Sequence, residues 1–165
     1  MSVAHQPSMW DLAGEAVLGP LAVVRHRLGN GAWVDHLPGW VQGSDEVLQV
    51  LLGDIGWRAD RRQMYEREVA VPRLLRWYGG GEPLPHPLLA EARQALTAHY
   101  GPELGEPFVS AGMCLYRDGR DSVAWHGDLV VMGGSCQRTW EHCIPKTARP
   151  VGPRVSVQFR PAGVA

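Results

Sequence analysis

The chain has 165 residues, 45% of them hydrophobic and 20% charged, with a formal net charge of -1 and a pI of about 6.6. That length suits one domain with a core of its own, and the composition is that of a globular protein, not a disordered or low-complexity one. A near-neutral balance excludes a globally basic nucleic-acid binder, so any basic surface has to be local.

Three cysteines, Cys114, Cys136 and Cys143, make an odd set without paired zinc spacing. They argue against a disulfide framework and for a reducing cytoplasm. No basic segment followed by an apolar run opens the chain, and the apolar stretch over residues 12–24 is broken by Glu15 and Pro20. Neither export nor membrane insertion is expected.

Residues 1–20 show no strong periodicity and read as a loose lead-in. Residues 21–27 are strand-compatible, Gly29-Asn30-Gly31 signals a turn, and residues 32–36 can return as the second arm of a hairpin. Ser44 is placed to cap a helix whose first turn carries Asp45 and Glu46, whose apolar face is Val47, Leu48, Leu51 and Leu52, and which Gly53 ends. Residues 58–76 then carry six arginines against three acids, with Tyr65 among them and Trp77-Tyr78 after them. Arginine beside aromatic rings suits phosphate contacts and base stacking, and it equally describes an exposed, solvated face. Pro83, Pro85 and Pro87 form a rigid connector. Pro87 also fits the first turn of a second helix, in which Leu88, Leu89, Ala92, Leu96 and Tyr100 recur at helical spacing until Gly101. That helix reads as structural.

From residue 108 the texture changes to short β-type runs, over 108–116, 123–125, 129–132, 140–144 and 155–159. His126 and Asp128 are two apart, so on an extended segment they share a face. If Gly133-Gly134-Ser135 is a hairpin turn pairing Met132 with Cys136, Asp128 falls opposite Trp140 and His126 opposite His142. Both imidazoles would then reach one ion, and a one-residue slip would separate them. Two histidines and a carboxylate suit non-haem Fe(II) with open positions, and also a catalytic zinc. A half-buried histidine beside Trp140 is the plain structural alternative. On the last run Arg154, Ser156, Gln158 and Arg160 share one face, and Val155, Val157 and Phe159 the other. Two arginines there could hold the ends of a small dicarboxylate, or simply solvate an edge strand.

Taken together, the run from Leu115 through Tyr116-Arg117-Asp118 to Trp125-His126-Gly127-Asp128, then Trp140-Glu141-His142, then Arg154 and Arg160 six residues apart, resembles the AlkB-like family of Fe(II)- and 2-oxoglutarate-dependent dioxygenases. Val71-Pro72-Arg73 followed by Trp77-Tyr78-Gly79 is similar to that family's nucleotide-recognition lid, so the resemblance runs from about residue 33 onward. It implies Fe(II) on His126, Asp128 and His142, which are then the catalytic centre. It implies 2-oxoglutarate held by Arg154 at its distal carboxylate, Arg160 near its metal-binding end and Tyr116 by a hydrogen bond. It also implies Arg73, Trp77 and Tyr78 against a flipped-out base. The reaction would be the O2-dependent removal of N-methyl groups from alkylated DNA or RNA as formaldehyde, with succinate and CO2 formed.

Two departures stand out. Cys114 occupies a position where the family commonly has asparagine. And His126-Gly127-Asp128 runs straight into Leu129-Val130-Val131-Met132-Gly133, where family members place several strands between the two motifs. Five strand runs fall short of the eight of a jelly roll. The expected architecture is therefore α+β: an incomplete double-stranded β-helix (jelly roll) with two supporting N-terminal helices. It forms a single domain over 1–165, divided into the lead-in 1–20, a helical and lid part 21–105, and a jelly-roll part 106–165. A shortened, non-catalytic nucleic-acid-binding relative and a metal protein with a small-molecule substrate are the other readings.

Overall fold

The computed structural model describes residues 15–53, 55–64, 67–117, 127–140 and 151–162, with backbone alone over 60–64 and 67–72. Its order is β1 (Val17–Leu18), β2 (Val24–Arg27), a 3-10 turn (Gly29–Gly31), β3 (Trp33–Leu37), β4 (Val41–Gln42), α1 (Ser44–Leu52), β5 (Arg58–Met64), β6 (Arg67–Tyr78), α2 (Pro87–Leu104), β7 (Phe108–Tyr116), β8 (Leu129–Gly133), α3 (Cys136–Thr139) and β9 (Arg154–Pro161). The strands form three ladders, β1-β4, β2-β3-β8 and β5-β6-β7-β9, and every described pairing is antiparallel. This is the mixed α and β architecture expected. Among the described residues the two larger ladders are separate sheets joined through apolar packing, and they do not by themselves make a jelly roll.

The β2–β3 hairpin forms around Asn30, which takes the left-handed φ of 60° that asparagine tolerates better than most side chains. Its register sets Arg25 opposite Asp35. On β3 the pleat buries Trp33 and Asp35 and leaves Val34 and His36 half-buried on the other face. Asp35 is 1% exposed and is held by the Arg25 guanidinium at 2.8 and 2.9 Å and by the Tyr100 hydroxyl at 2.9 Å. Arg25 lies over the Trp33 ring, 3.5 Å from its centroid, and makes two further bonds to Glu103.

Helix α1 begins one residue differently from expectation. Gly43, at φ 66°, is its N-cap and Ser44 its first helical residue, with Asp45 and Glu46 in the first turn and Gly53 at the end. Helix α2 buries all five predicted residues, Leu88, Leu89, Ala92, Leu96 and Tyr100. His86 caps it, Nδ1 accepting from the Leu88 amide at 3.1 Å, and the helix runs past Gly101 to Leu104 before Gly105 stops it at φ 76°. Its early turns pack with α1 and with Tyr78, Ala111 and Met113 of the four-stranded sheet. Its later turns pack with Trp33, Trp40 and Leu129. No described helix is long and apolar enough to cross a membrane.

One hairpin was not anticipated, and one expectation about strands is corrected. The arginine-rich segment is a β-hairpin, β5 against β6, although its charge hides any alternation. Pro72, which has no N–H to give a ladder, falls where the register jumps between the Ala59–Leu74 and Arg61–Ala70 pairs. The proposed hairpin of Met132 with Cys136 does not form. β8 pairs instead with β3, Met132 facing Val34, and Cys136 opens a helical turn whose Arg138 and Thr139 amides donate to the Ser135 carbonyl. Asp128 is therefore not opposite Trp140. His126, His142, the 123–125 run and the strand residues after Trp140 lie outside the described residues.

Candidate functional site on the outer face of strands 6, 7 and 9

Antiparallel register puts directly opposed residues on one face. Tyr116 faces Arg154, Cys114 faces Ser156 and Leu75, and Gly112 faces Gln158 and Trp77. Continuing the alternation adds Arg73 and Arg160 to that side. The opposite side carries Tyr78, Ala111, Met113, Val155, Val157 and Phe159, all of which pack into the core. One sheet thus divides into an apolar face on the helices and a cationic, aromatic face away from them.

On the cationic face the contacts run in sequence along the strands. The Arg154 guanidinium stacks on Tyr116, 4.1 Å from the ring centroid. The Gln158 amide reaches Cys114 Sγ at 3.9 Å and Ser156 Oγ at 3.4 Å, and Arg160 donates to Gln158 Oε1 at 3.1 Å. Trp77 lies across Gly112, where an added Cβ would meet the ring at 3.2 Å, and Arg160 sits 6.0 Å from the Trp77 centroid. Six residues of strand separate the two arginines, on the order of 20 Å. Arg160 offsets this by leaning inward, toward the row of Gln158 and Trp77.

Burial pulls the Arg154 pKa below its ordinary value, with Tyr116 and Cys114 acting the other way. Arginine stays charged regardless, so the shift describes a cation partly stripped of water that an arriving carboxylate would stabilise. Burial pushes the Cys114 thiol up, and the Arg73 charge, a Tyr116 hydrogen bond and the charges of Arg160 and Arg154 oppose the rise. The thiol therefore sits among three arginines as a neutral group.

Of the residues expected to serve the site, Tyr116, Arg154, Arg160, Arg73 and Trp77 come together on this face. Tyr78 does not join them: it is 5% exposed and turned into the core, one residue out of phase with Trp77. Asp128 lies at the start of β8 in the other sheet. Its Oδ1 accepts from the Gly39 amide at 2.9 Å, and its Oδ2 is 3.4 Å from His36 Nε2. His36 was not among the expected site residues, and it reaches Asp128 only through the pairing of β3 with β8. The described residues contain no cluster of three potential metal ligands, and two of the three expected ligands are outside them.

No protein-family model matches the chain. Among curated proteins it is similar to the human "Alpha-ketoglutarate-dependent dioxygenase alkB homolog 3", 26% identical over 220 residues that take in 95% of this chain and 73% of that protein. The mouse protein of the same name is 25% identical over the same shares. These similarities support AlkB-like family membership. A 35-residue stretch of the chain is also 49% identical to the "DNA oxidative demethylase ALKBH2" of Arabidopsis thaliana, covering 21% of the chain and 11% of that protein. The 220-residue span shared with the human relative is longer than this chain's 165 residues, so that relative carries segments with no counterpart in this sequence.

Proposed function

We propose that this chain binds 2-oxoglutarate on the β7–β9 face. With Fe(II) on His126, Asp128 and His142, it would then oxidise N-alkyl groups of nucleic-acid bases in DNA or RNA, in a reducing cytoplasm. The observation that carries the proposal is the convergence of Tyr116, Arg154 and Arg160 on one half-buried face of a chain in a family of alpha-ketoglutarate-dependent dioxygenases.

Each residue has a task that its surroundings suit. Arg154 offers the distal carboxylate a planar, two-pronged donor, and the Tyr116 ring beneath holds that plane. Tyr116 can also give its hydroxyl to the ligand, and Arg160, turned inward, supports the other end. Arg73 and the exposed Trp77 border the cradle, where a phosphate and a base could rest. Asp128 fits the role of a metal ligand: one hydrogen bond from Gly39 fixes Oδ1, leaving lone pairs on both oxygens. Bound iron, with O2 and 2-oxoglutarate, would supply the oxidising equivalent, and the methyl group would leave as formaldehyde. Fe(II) and 2-oxoglutarate are thus the cofactors of this reading, and a completed double-stranded β-helix would be its fold.

The direct test is calorimetric titration of 2-oxoglutarate. Arg154→Ala is expected to weaken binding by about 2 kcal/mol, near thirtyfold, because a buried charge contact is lost. Arg154→Lys should recover only part of it, since lysine cannot make the paired bonds. Wild-type affinity in Arg154→Ala would remove the cradle assignment.

A second reading, a non-catalytic nucleic-acid-binding relative, is favoured by the segments that the human relative carries within the aligned span and this sequence does not. Succinate formation dependent on Fe(II), 2-oxoglutarate and a methylated oligonucleotide separates the two. Folded protein that binds oligonucleotide and makes no succinate belongs to the second. In either, Arg73→Ala should lower the slope of log affinity against log salt by about 1 if that arginine meets a phosphate. An unaltered slope places the phosphate contact elsewhere.

A further inference from the structure

The segment entering β8 is unusually well fastened. Gly127 takes φ 66°, and a Cβ there would lie 2.4 Å from the Val41 carbonyl oxygen. The Gly127 carbonyl accepts from the Val41 amide at 2.9 Å, and Asp128 Oδ1 accepts from the Gly39 amide at 2.9 Å. Backbone and one carboxylate oxygen of Asp128 are thereby tied to the turn between β3 and β4. What remains adjustable is the outer oxygen, Oδ2.

His36 is the side chain that meets that oxygen. It sits on the outward phase of β3, in the row between Val24 and Val130, and its Nε2 is 3.4 Å from Oδ2. The two side chains are 30% and 16% exposed, so a solvated cation can approach them. One lone pair of Oδ2 can accept from the Nε2–H while another faces outward.

We propose that His36 is a positioning residue for Asp128: its imidazole N–H aims the free carboxylate oxygen at a bound divalent cation. The proposal rests on the reading of Asp128 as a metal ligand and deepens it. Partners of ligating carboxylates act in this way, and losing one commonly costs ten- to a hundredfold in metal affinity. The tie from Gly39 makes the role specific, since with Oδ1 already occupied the orientation of the carboxylate is set by what holds Oδ2.

The experiment is anaerobic titration of the metal-free full chain with Co(II), followed by its visible absorption, in wild type, Asp128→Asn, His36→Ala, His36→Phe and His36→Gln. Both His36→Ala and His36→Phe are expected to weaken Co(II) binding by roughly 10- to 100-fold, and His36→Gln, whose amide can donate to Oδ2, to stay within about threefold of wild type. The phenylalanine variant keeps the ring's bulk, so it reports the missing N–H even if the alanine variant does not fold. Wild-type affinity in His36→Phe, with Asp128→Asn impaired, would overturn the role of His36. Loss in His36→Gln equal to that in His36→Phe would also overturn it, making His36 a ligand in its own right. Wild-type affinity in Asp128→Asn would overturn the underlying assignment of Asp128 instead.

Discussion

Asp35→Ala is expected to lower folding stability by about 3 kcal/mol, read as a shift of the urea midpoint. That is the lower end of the roughly 3–5 kcal/mol for breaking a buried ion pair. The carboxylate is fully enclosed and satisfies both prongs of Arg25 and the Tyr100 hydroxyl. Without it, Tyr100 loses its acceptor inside the core, and Arg25 is left on the Trp33 face with a charge that, among the described residues, Glu103 alone answers. Glu103 is why the lower end applies: its two bonds to Arg25 persist, though being exposed they are individually worth no more than about 1 kcal/mol. Glu103→Ala should accordingly cost about 1 kcal/mol or less. Equal losses in the two variants would mean that burial is not what gives the pair its weight.

The same carboxylate predicts a pH dependence. Arg25 hydrogen-bonded to Asp35 holds its acid form well below the usual carboxylate range, burial opposes this, and Tyr100 assists it. In the folded chain the group stays ionised at a pH where the unfolded chain has taken up a proton. Its stabilisation is therefore complete above about pH 4, the unfolded value, and drains away as pH falls toward the folded value. Wild type should lose stability over that acidic window more steeply than Asp35→Ala.

Gly133→Ala is expected to be strongly destabilising. Gly133 pairs directly with Trp33, and the indole folds over it so closely that a Cβ would lie 2.0 Å from Cζ2 and 2.3 Å from Cε2. The ring cannot slide away, because Arg25 covers one side and Tyr100 stacks at 6.0 Å between centroids. Overfilling a packed site generally costs about 1–3 kcal/mol, and here the upper figure or more applies. Thermal unfolding measures it, and a Trp33→Leu background should relieve part of the loss. An undiminished midpoint in Gly133→Ala would show that the indole has room the packing denies it.

Helix α2 was legible because its five apolar residues repeat at helical spacing and Pro87 marks its start. The β2–β3 hairpin was legible from Gly29-Asn30-Gly31. The long β5–β6 hairpin was not, because six arginines obscure the alternation and Pro72 reads as a breaker unless the bulge that accommodates it is known. The partner of β8 was not legible either. A local hairpin with Cys136 competes on paper with β3, some 95 residues earlier, and only three-dimensional packing, with Leu129 opposite Leu37 and Gly133 under Trp33, decides between them. Arg154, Ser156, Gln158 and Arg160 could be placed on one face from alternation alone. That Tyr78 turns away from Trp77 follows from the same alternation. The contact of His36 with Asp128 depends on the β3–β8 ladder, so no local motif could announce it.

Helix α2 gives its first turns to one apolar cluster and its later turns to the other. Neither sheet can shed its cover without the helix leaving both, so unfolding is expected to be all-or-none, and the slowest amide exchange should fall in α2, β3 and β7 together. Among the described residues the two larger sheets are thus connected by a rod laid across them and not by a ladder of strands. An architecture joined in that way folds as one cooperative unit without relying on strand pairing along its seam.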